Sequence, residues 1–356
     1  MENKKLQTAL EKWQAIQPLS QRDTDRLSRR FTVDFNYNSN HIEGNTLTYG
    51  QTELLLLFDK VIGEADFRDY EEMKASNVGL KMMTVEATET KQPLTQNFIR
   101  TLHRTLLRED YTVYRNLPGG FTTSYIVHAG QYKTRPNSVV TRYGVRFDYA
   151  SPEETPSLMT DLVDWYNKAE SDGKLTPIEL AILFHYRYIR IHPFEDGNGR
   201  IARLLLNYIL SRHGYPMIVV RSRLKKDYLE ALHQSDLIVG DSPFEGANAS
   251  LKKIRPFHKY MTNLIAKEIE NDVLFVTEKN ENVWWYDGER IEFRSQNYTR
   301  LLDEIMLEKN VSYSYLQQAL GINRSAIQKM LEMLQKNNYI EKNETGGYRV
   351  FLTQSL

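Results

Sequence analysis

Nine consecutive residues, His192-Pro193-Phe194-Glu195-Asp196-Gly197-Asn198-Gly199-Arg200, gather the side chains that phosphate chemistry uses. His192 carries an imidazole that titrates near neutrality and can take a proton from an attacking hydroxyl. Asp196 offers a hard oxygen ligand suited to Mg2+ (or Mn2+) shared with phosphates. Gly197 and Gly199 let the backbone bend and approach a ligand closely, so the amides from Gly197 through Asn198 to Gly199 can cradle an anion. Arg200 and Arg203, three apart, lie on one helix face and can both reach a phosphate chain. Each feature alone has a plain alternative: a His before Pro is commonly structural, and Gly-Asn-Gly is commonly a turn. Base, metal carboxylate, anion cradle and charge clamp within twelve residues identify an active site.

Two helices must position this loop. Upstream, Thr176-Pro177-Ile178-Glu179 is a capping box with Pro at the first helical position. Ile178, Ala181, Ile182 and Ile189 then recur at helical spacing up to the motif. Downstream, Ile201, Leu204, Leu205, Tyr208 and Ile209 repeat the pattern as far as Gly214, a natural stop. The motif therefore reads as a tight loop leading into a helix N-terminus, where free N–H groups and the helix dipole favour an anion.

The run His-Pro-Phe-x-Asp-Gly-Asn-Gly-Arg, with a second Arg three residues on, resembles the signature of the Fic family at every defining position. That resemblance implies an all-α catalytic core with a short β-hairpin flap, which transfers AMP from ATP to a protein hydroxyl. Doc-type kinases, which are relatives, carry Lys where this chain has Gly199, which disfavours phosphoryl transfer here. A second likeness lies far upstream. Ser39-Asn40-His41-Ile42-Glu43-Gly44 reads locally as a polar turn at a helix end, where a carboxylate is unfavourable against the dipole and calls for a partner. Its Ser-x-x-x-Glu-Gly pattern resembles the family's inhibitory motif, whose Glu pairs with the second Arg of the loop. By that likeness Ser39 and Glu43 are inhibitory residues and Arg203 is the partner.

The remaining chain reads as follows. Helices are expected over Leu6 to Ile16, about 22 to 38, Gln51 to Asp59, Phe67 to Thr88 and 93 to 107. Leu117 to Asp148, rich in Gly, Thr, Tyr and Val, breaks the helical pattern. Within it Gly130 to Thr134 and Ser138-Val139-Val140 read as a short hairpin, either an ordinary surface hairpin or, by the resemblance, the flap that docks a target segment by strand addition. Helix resumes over Pro152 to Asn167 and again from Lys225. The family often places an aromatic pair there against adenine, and only Tyr228 is aromatic, since Asp227 precedes it. Residues 240 to 254 look like a connection before a helix over about 256 to 270. Three helices (Tyr298 to Leu307, Ser314 to Leu320, Ser325 to Lys336) and strands at Ile340 to Lys342 and Tyr348 to Leu352 around Gly346-Gly347 form a winged-helix pattern. Arg324, Ser325, Gln328 and Lys329 would face outward from its recognition helix. Across Gln296 to Leu356, seven Lys/Arg against six Asp/Glu leave DNA phosphate little net charge to hold, so DNA and protein partners both stay open.

Composition bounds the class. The 356 residues suffice for two or three domains, divided as an N-terminal helical region (1–92), the catalytic core (93–240), a helical connection (241–292) and the winged helix (293–356). Hydrophobic content of 41% and charged content of 26% are ordinary for a soluble globular protein. Lys+Arg 46 balances Asp+Glu 46, so bulk charge points to neither nucleic acid nor anionic membrane. With no cysteine there is no disulfide framework, thiolate nucleophile or Cys-based zinc site. The polar start and the lack of a long apolar run imply a cytoplasmic protein with no membrane partner. The expected function is AMP transfer from ATP, with Mg2+ (or Mn2+), to a Ser, Thr or Tyr hydroxyl of a target protein and of the enzyme itself. A homodimer is a further expected partnership. Removal of AMP by the same loop, with Glu43 aligning a water, and a DNA-binding regulator whose core modifies itself are the alternatives.

Overall fold

Two long helices open the chain in the computed structural model, which describes residues 4–61, 65–116, 122–140, 146–307, 311–342 and 347–350. They are α1 (Lys4–Ala15) and α2 (Gln21–Ile42), the second capped by Ser20, whose hydroxyl accepts from the Asp23 N–H. After α3 (Tyr49–Phe58), α4 (Phe67–Thr88) and α5 (Gln96–Leu107) come two antiparallel hairpins. These are β1 (Tyr111–Asn116) with β2 (Thr122–Val127), and β3 (Ser138–Val140) with β4 (Arg146–Asp148). Three helices follow: α6 (Thr155–Asp172), α7 (Pro177–Ile191) and α8 (Asn198–Arg212). A 3-10 turn (Ser222–Leu224) leads to α9 (Lys225–Val239), α10 (Pro243–Ala247) and α11 (Arg255–Thr277). A hairpin of β5 (Val283–Tyr286) and β6 (Glu289–Glu292) then precedes α12 (Gln296–Leu307), α13 (Tyr313–Leu320), α14 (Arg324–Lys336), β7 (Ile340–Lys342) and β8 (Tyr348–Val350). The fold is predominantly helical, as expected, with its described strands confined to two-stranded hairpins.

α7 and α8 are the axis. Every residue from Leu180 to Tyr188 and from Arg200 to Leu210 is buried. A helix wrapped on all sides cannot be simply amphipathic, so its polar side chains need internal partners. Tyr186 donates to Asp236 Oδ1 at 2.7 Å, and Arg187 donates to the Ala249 carbonyl while stacking on Trp165 at 3.9 Å. One hydrophobic cluster runs from Ala9 to Ile269 and joins every helix from α1 to α11 except α3 around this pair, while Leu55 of α3 packs with Leu47, Tyr70 and Met73 in a small cluster of its own. Each fully buried large apolar side chain there contributes roughly 1.5–3 kcal/mol. A second cluster runs from Trp284 to Ile340. The two meet where Tyr49 packs 4.5 Å from Tyr286 and where buried Arg221 joins Asp34, Glu268 and Asp287.

Several local expectations are corrected. Ser39 to Ile42 is the last turn of α2, not a loop, so the polar turn begins only at Glu43. The reason is internal satisfaction: Asn36, Asn38 and Asn40 each donate to the carbonyl four residues back, which keeps a polar stretch helical. Gly130 to Thr134 is not a strand, and β3 pairs with β4 instead. Its backbone groups bind the active-site loop, as described below. The hairpins β1–β2 and β5–β6 were not anticipated. In the second case Val-Trp-Trp-Tyr followed by Asp287-Gly288 is a recognisable hairpin signal, with Asp287 at φ 44° and Gly288 at φ 74°. Residues 241–292 therefore hold a hairpin as well as helices. Gly346 and residues 351–352, read as part of the wing, lie outside the described residues, as do Leu117 to Phe121 and Thr141 to Val145 of the stretch read as non-helical.

Candidate active site

α7 begins as the sequence implies, with both halves of the Thr176/Glu179 capping box formed and Pro177 inside the first turn. It ends at His192, whose N–H still reaches the Tyr188 carbonyl at 2.9 Å while its own backbone turns left-handed, φ 53° and ψ 61°. Pro193 forbids the next helical hydrogen bond and discourages helical geometry at residue 192, so the chain must leave the helix here. The imidazole stacks on Tyr149 at 3.9 Å and 11°, and Nδ1 is buried without a hydrogen-bond partner of ordinary geometry. Burial, and next the nearby Lys133 ammonium, pull its pKa down to about 4, so the ring is neutral at pH 7. The Ile189 backbone beside the ring opposes that shift without overcoming it, and a neutral imidazole is what a general base requires.

The loop is fastened from several elements. Asn198 folds its amide back on Phe194, accepting from its N–H at 3.0 Å and donating to its carbonyl at 2.7 Å. Lys133 donates to the Ile191 and His192 carbonyls, and Asn137 to that of Phe194. Glu195 accepts from the N–H and hydroxyl of Thr134. His103 of α5 stacks on Phe194 at 3.7 Å and bridges the Gly130 N–H and the Asp196 carbonyl. Since its Nδ1 accepts from Gly130, Nε2 carries the proton, and burial holds its pKa near 4. Asp196 is therefore placed by backbone as well as by its side chain.

At the head of α8, Gly197 sits at φ 76°, a left-handed turn that glycine adopts without strain. Its N–H is taken by Asp196 Oδ1 at 2.7 Å, while the N–H groups of Asn198, Gly199 and Arg200 open the helix, where no earlier turn supplies acceptors. The Tyr111 hydroxyl donates to Asp196 Oδ2. Burial works to raise the Asp196 pKa, but Arg200 and Tyr111 outweigh it and keep the carboxyl below its ordinary range. Arg200 is 4% exposed, yet it faces Glu72 and Asp196 only at 3.9 Å each, and its Nε is buried without a partner. A buried guanidinium so loosely held has unmet demand for an anion.

Arg203 is the opposite case. Glu43 Oε1 accepts from its Nη2 at 2.6 Å, and Ser39 accepts through its carbonyl from Nη2 at 2.8 Å and through Oγ from Nε at 3.0 Å. The expected Glu43–Arg203 ion pair is thus present, joining residues 160 apart in sequence. Burial raises the Glu43 pKa, Arg203 and Arg200 lower it more, and the carboxylate remains ionised. It lies directly over Gly199, where a Cβ would collide with it. Tyr228, expected beside adenine, is buried at 2% exposure and its hydroxyl meets His185 Nε2 at 2.7 Å. It packs between His185 and Phe257 as part of the wall behind Arg203 and presents no exposed ring. β3 follows directly on the segment that fastens the loop, and β4 leads into Tyr149 beneath His192. The backbone of Ser138, Val139 and Val140 thereby joins the Asn137 and Tyr149 sides of His192, while the side chains of Val139 and Val140 lie outside the described residues.

The Fic/DOC family model matches residues 93–210, which contain this whole loop. A solved Fic domain containing signaling protein from Bacteroides thetaiotaomicron is 50% identical, with a TM-score of 0.71, over 78% of this chain and 100% of that one. The chain belongs to the Fic family. Protein adenylyltransferase fic-1 of Caenorhabditis elegans is 29% identical over 72% of this chain and 44% of its own length, and protein adenylyltransferase Fic of Nematostella vectensis is 29% identical over 66% and 47%. The chain thus spans less than half of these curated relatives. A Fic family protein from Desulfovibrio desulfuricans, 20% identical with a TM-score of 0.56, shares the fold over 100% of this chain and 98% of its own.

Within this Fic loop a metal has one carboxylate available. Among the described residues no group of three His, Cys, Asp or Glu side chains converges as a metal cage. One carboxylate, Asp196, beside a phosphate cradle suits Mg2+ delivered with a nucleotide, because Mg2+ keeps waters and takes the rest of its shell from phosphates. Sequence reasoning missed the Fic loop's supports: His103, Lys133, Asn137, Tyr111, Tyr149 and Glu72. None carries a local signal, since each acts across a gap in sequence. No helix among the described residues is long and apolar enough to cross a membrane.

Proposed function

We propose that this Fic protein transfers AMP from ATP to a Ser, Thr or Tyr hydroxyl of a target protein and of itself, and that Glu43 restrains the reaction. One observation carries the reading: of two buried arginines at the head of α8, Arg200 lacks a close anion while Arg203 is held by the Glu43 carboxylate at 2.6 Å and by Ser39. A polyphosphate would meet the demand of Arg200 and of the leading α8 amides, but could engage Arg203 only by displacing Glu43. His192 accepts the proton of the target hydroxyl as its oxygen bonds to the α-phosphorus. The bond from that phosphorus to the bridging oxygen breaks and pyrophosphate leaves. Asp196 would hold Mg2+, which neutralises phosphate charge when bound. The β3 edge, next to the neutral His192, supports docking of an extended target segment.

Glu43, ionised and 39% exposed at the pocket, also supports a second reading, in which it aligns a water and the same loop removes AMP. The α12–α14 helices and the β7–β8 hairpin support a winged-helix reading, and near-neutral charge there favours a protein partner or a second copy over DNA. The cytoplasm, where ATP is abundant, is the compartment this function asks for. The test incubates the protein with ATP and Mg2+ and measures added AMP on itself and on lysate proteins by mass spectrometry. His192→Ala should lower transfer by on the order of 10²-fold or more while keeping ATP binding. Transfer within a few-fold of the parent by a folded variant would overturn the reading, and loss of AMP from a pre-modified substrate would favour the second.

A further inference from the structure

We propose that Lys133 is a positioning residue for His192, its ammonium holding the end of α7 in the left-handed turn that presents the imidazole. Lys133 lies in the segment between β2 and β3, is 3% exposed, and donates from Nζ to three uncharged oxygens. These are the His192 carbonyl at 2.8 Å, the Ile191 carbonyl at 3.1 Å and Asn137 Oδ1 at 2.8 Å. Its own N–H donates to the Pro193 carbonyl at 2.9 Å. Three acceptors match the three protons of an ammonium.

The position explains the residue type. The last carbonyls of a helix lack intrahelical partners and carry the negative end of its dipole, so a cation there is favourable. His192 also adopts a backbone conformation that is sparsely populated for a residue with a side chain, and such a conformation persists only where surrounding contacts over-determine it. Lys133 supplies those contacts on both sides of the turn. Burying an ammonium among neutral oxygens is costly, and it pulls the Lys133 pKa down to about 7 against Glu154 and Glu195. Glu154 and Glu195 favour the charged form, which has a proton for each of the three oxygens. The charged groups facing His192 are Lys133, Glu43 at the end of α2 and Asp196 in the loop, with Tyr149 stacked beneath. Lys133 favours the neutral ring and the two carboxylates oppose it.

The activity arm of the test rests on the AMP-transfer reading, and the titration arm does not. The full chain carrying Glu43→Gly is the parent, compared with Lys133→Met and Lys133→Arg. Lys133→Met should lower kcat by about tenfold or more while leaving KM for ATP within about twofold, because the base is displaced but the phosphate cradle is not. Lys133→Arg, which returns a cation to the helix end, should recover much of that loss. NMR titration of His192 should show its midpoint raised in Lys133→Met and close to the parent in Lys133→Arg. If Lys133→Met does not fold, Lys133→Gln takes its place with the same expectations. A kcat within about threefold of the parent with an unshifted His192 midpoint overturns the proposal, and so does failure of both neutral variants to fold, which would make the lysine purely structural. If the parent transfers no AMP, the function above fails while the titration still decides the role of Lys133.

Discussion

Replacing Glu43 by glycine tests how one carboxylate can hold down a site assembled from residues far away. Arg203 has three acceptors, of which Ser39 provides two and Glu43 one. Only the Glu43 contact joins two opposite charges, and hydrogen bonds to charged groups contribute about 1.5–3 kcal/mol when formed. Glu43 keeps 39% of its exposure, so solvent screens the pair and the lower half of that range applies. Displacing it to seat a terminal phosphate on Arg203 then costs about 1.5–2 kcal/mol, which is roughly 10- to 30-fold in the population of aligned nucleotide. Glu43 also stands over Gly199, so its removal opens room as well as freeing a cation. Glu43→Gly should therefore raise self-labelling from [α-32P]ATP by at least about tenfold at matched protein and Mg2+ concentrations. Nucleotide affinity by calorimetry should change much less, because Arg200 and the α8 amides are untouched. Arg203→Ala should abolish restraint and transfer together, leaving the double variant inactive. Unchanged labelling by a folded Glu43→Gly protein would refute the argument.

Two further outcomes follow from the charges. Glu43 has a folded pKa below its ordinary 4.5, so the restraint is fully present above that value and is lost only as pH falls through the lower folded value. The ratio of Glu43→Gly to parent labelling should accordingly stay flat between about pH 6 and pH 8, and a fall of several-fold toward pH 6 would contradict the assignment. At the junction with the C-terminal unit, Asp287 accepts from Asn38 at 2.6 Å and pairs with Arg221 at 3.1 Å and Arg223 at 3.2 Å. Asp287→Asn keeps the turn geometry and removes the charge, and should cost about 1–3 kcal/mol in urea unfolding, with an unchanged midpoint counting against it.

The long helices were legible because their signals are local. Phe67–Thr88 matches its expected bounds, and the Thr176/Glu179 box forms as read. Short elements were legible only in part: Ser138–Val140 and Ile340–Lys342 are strands as read, but the partner of the first was not. The strands of β3–β4 are three residues each, and the assignment of Gly130–Thr134 to a strand failed because that backbone bonds to Pro193 and Glu195, not to a neighbouring strand. The end of α2 was misplaced because asparagine favours turns in general, whereas here Asn36, Asn38 and Asn40 are buried, back-bonded to α2 carbonyls, and Asn38 is also tied to Ser222 and Asp287.

What the sequence by itself determined is the loop from His192 to Arg203: its imidazole, carboxylate, glycines and arginines are contiguous, so composition and spacing alone bring them close together. What only the tertiary structure decided is which of those groups are free. Arg200 and Arg203 are equivalent on paper, three residues apart on one helix, yet one is left loosely paired and the other is closely held by Glu43 and Ser39. That difference comes from where the end of α2 lands, and so from the packing of α2 against α4, α8 and α11. Tyr228 likewise reads as a ligand-facing aromatic until α11 covers it with Phe257. Contacts between residues 160 apart depend on how buried faces fit together in three dimensions, and local propensity carries no record of that.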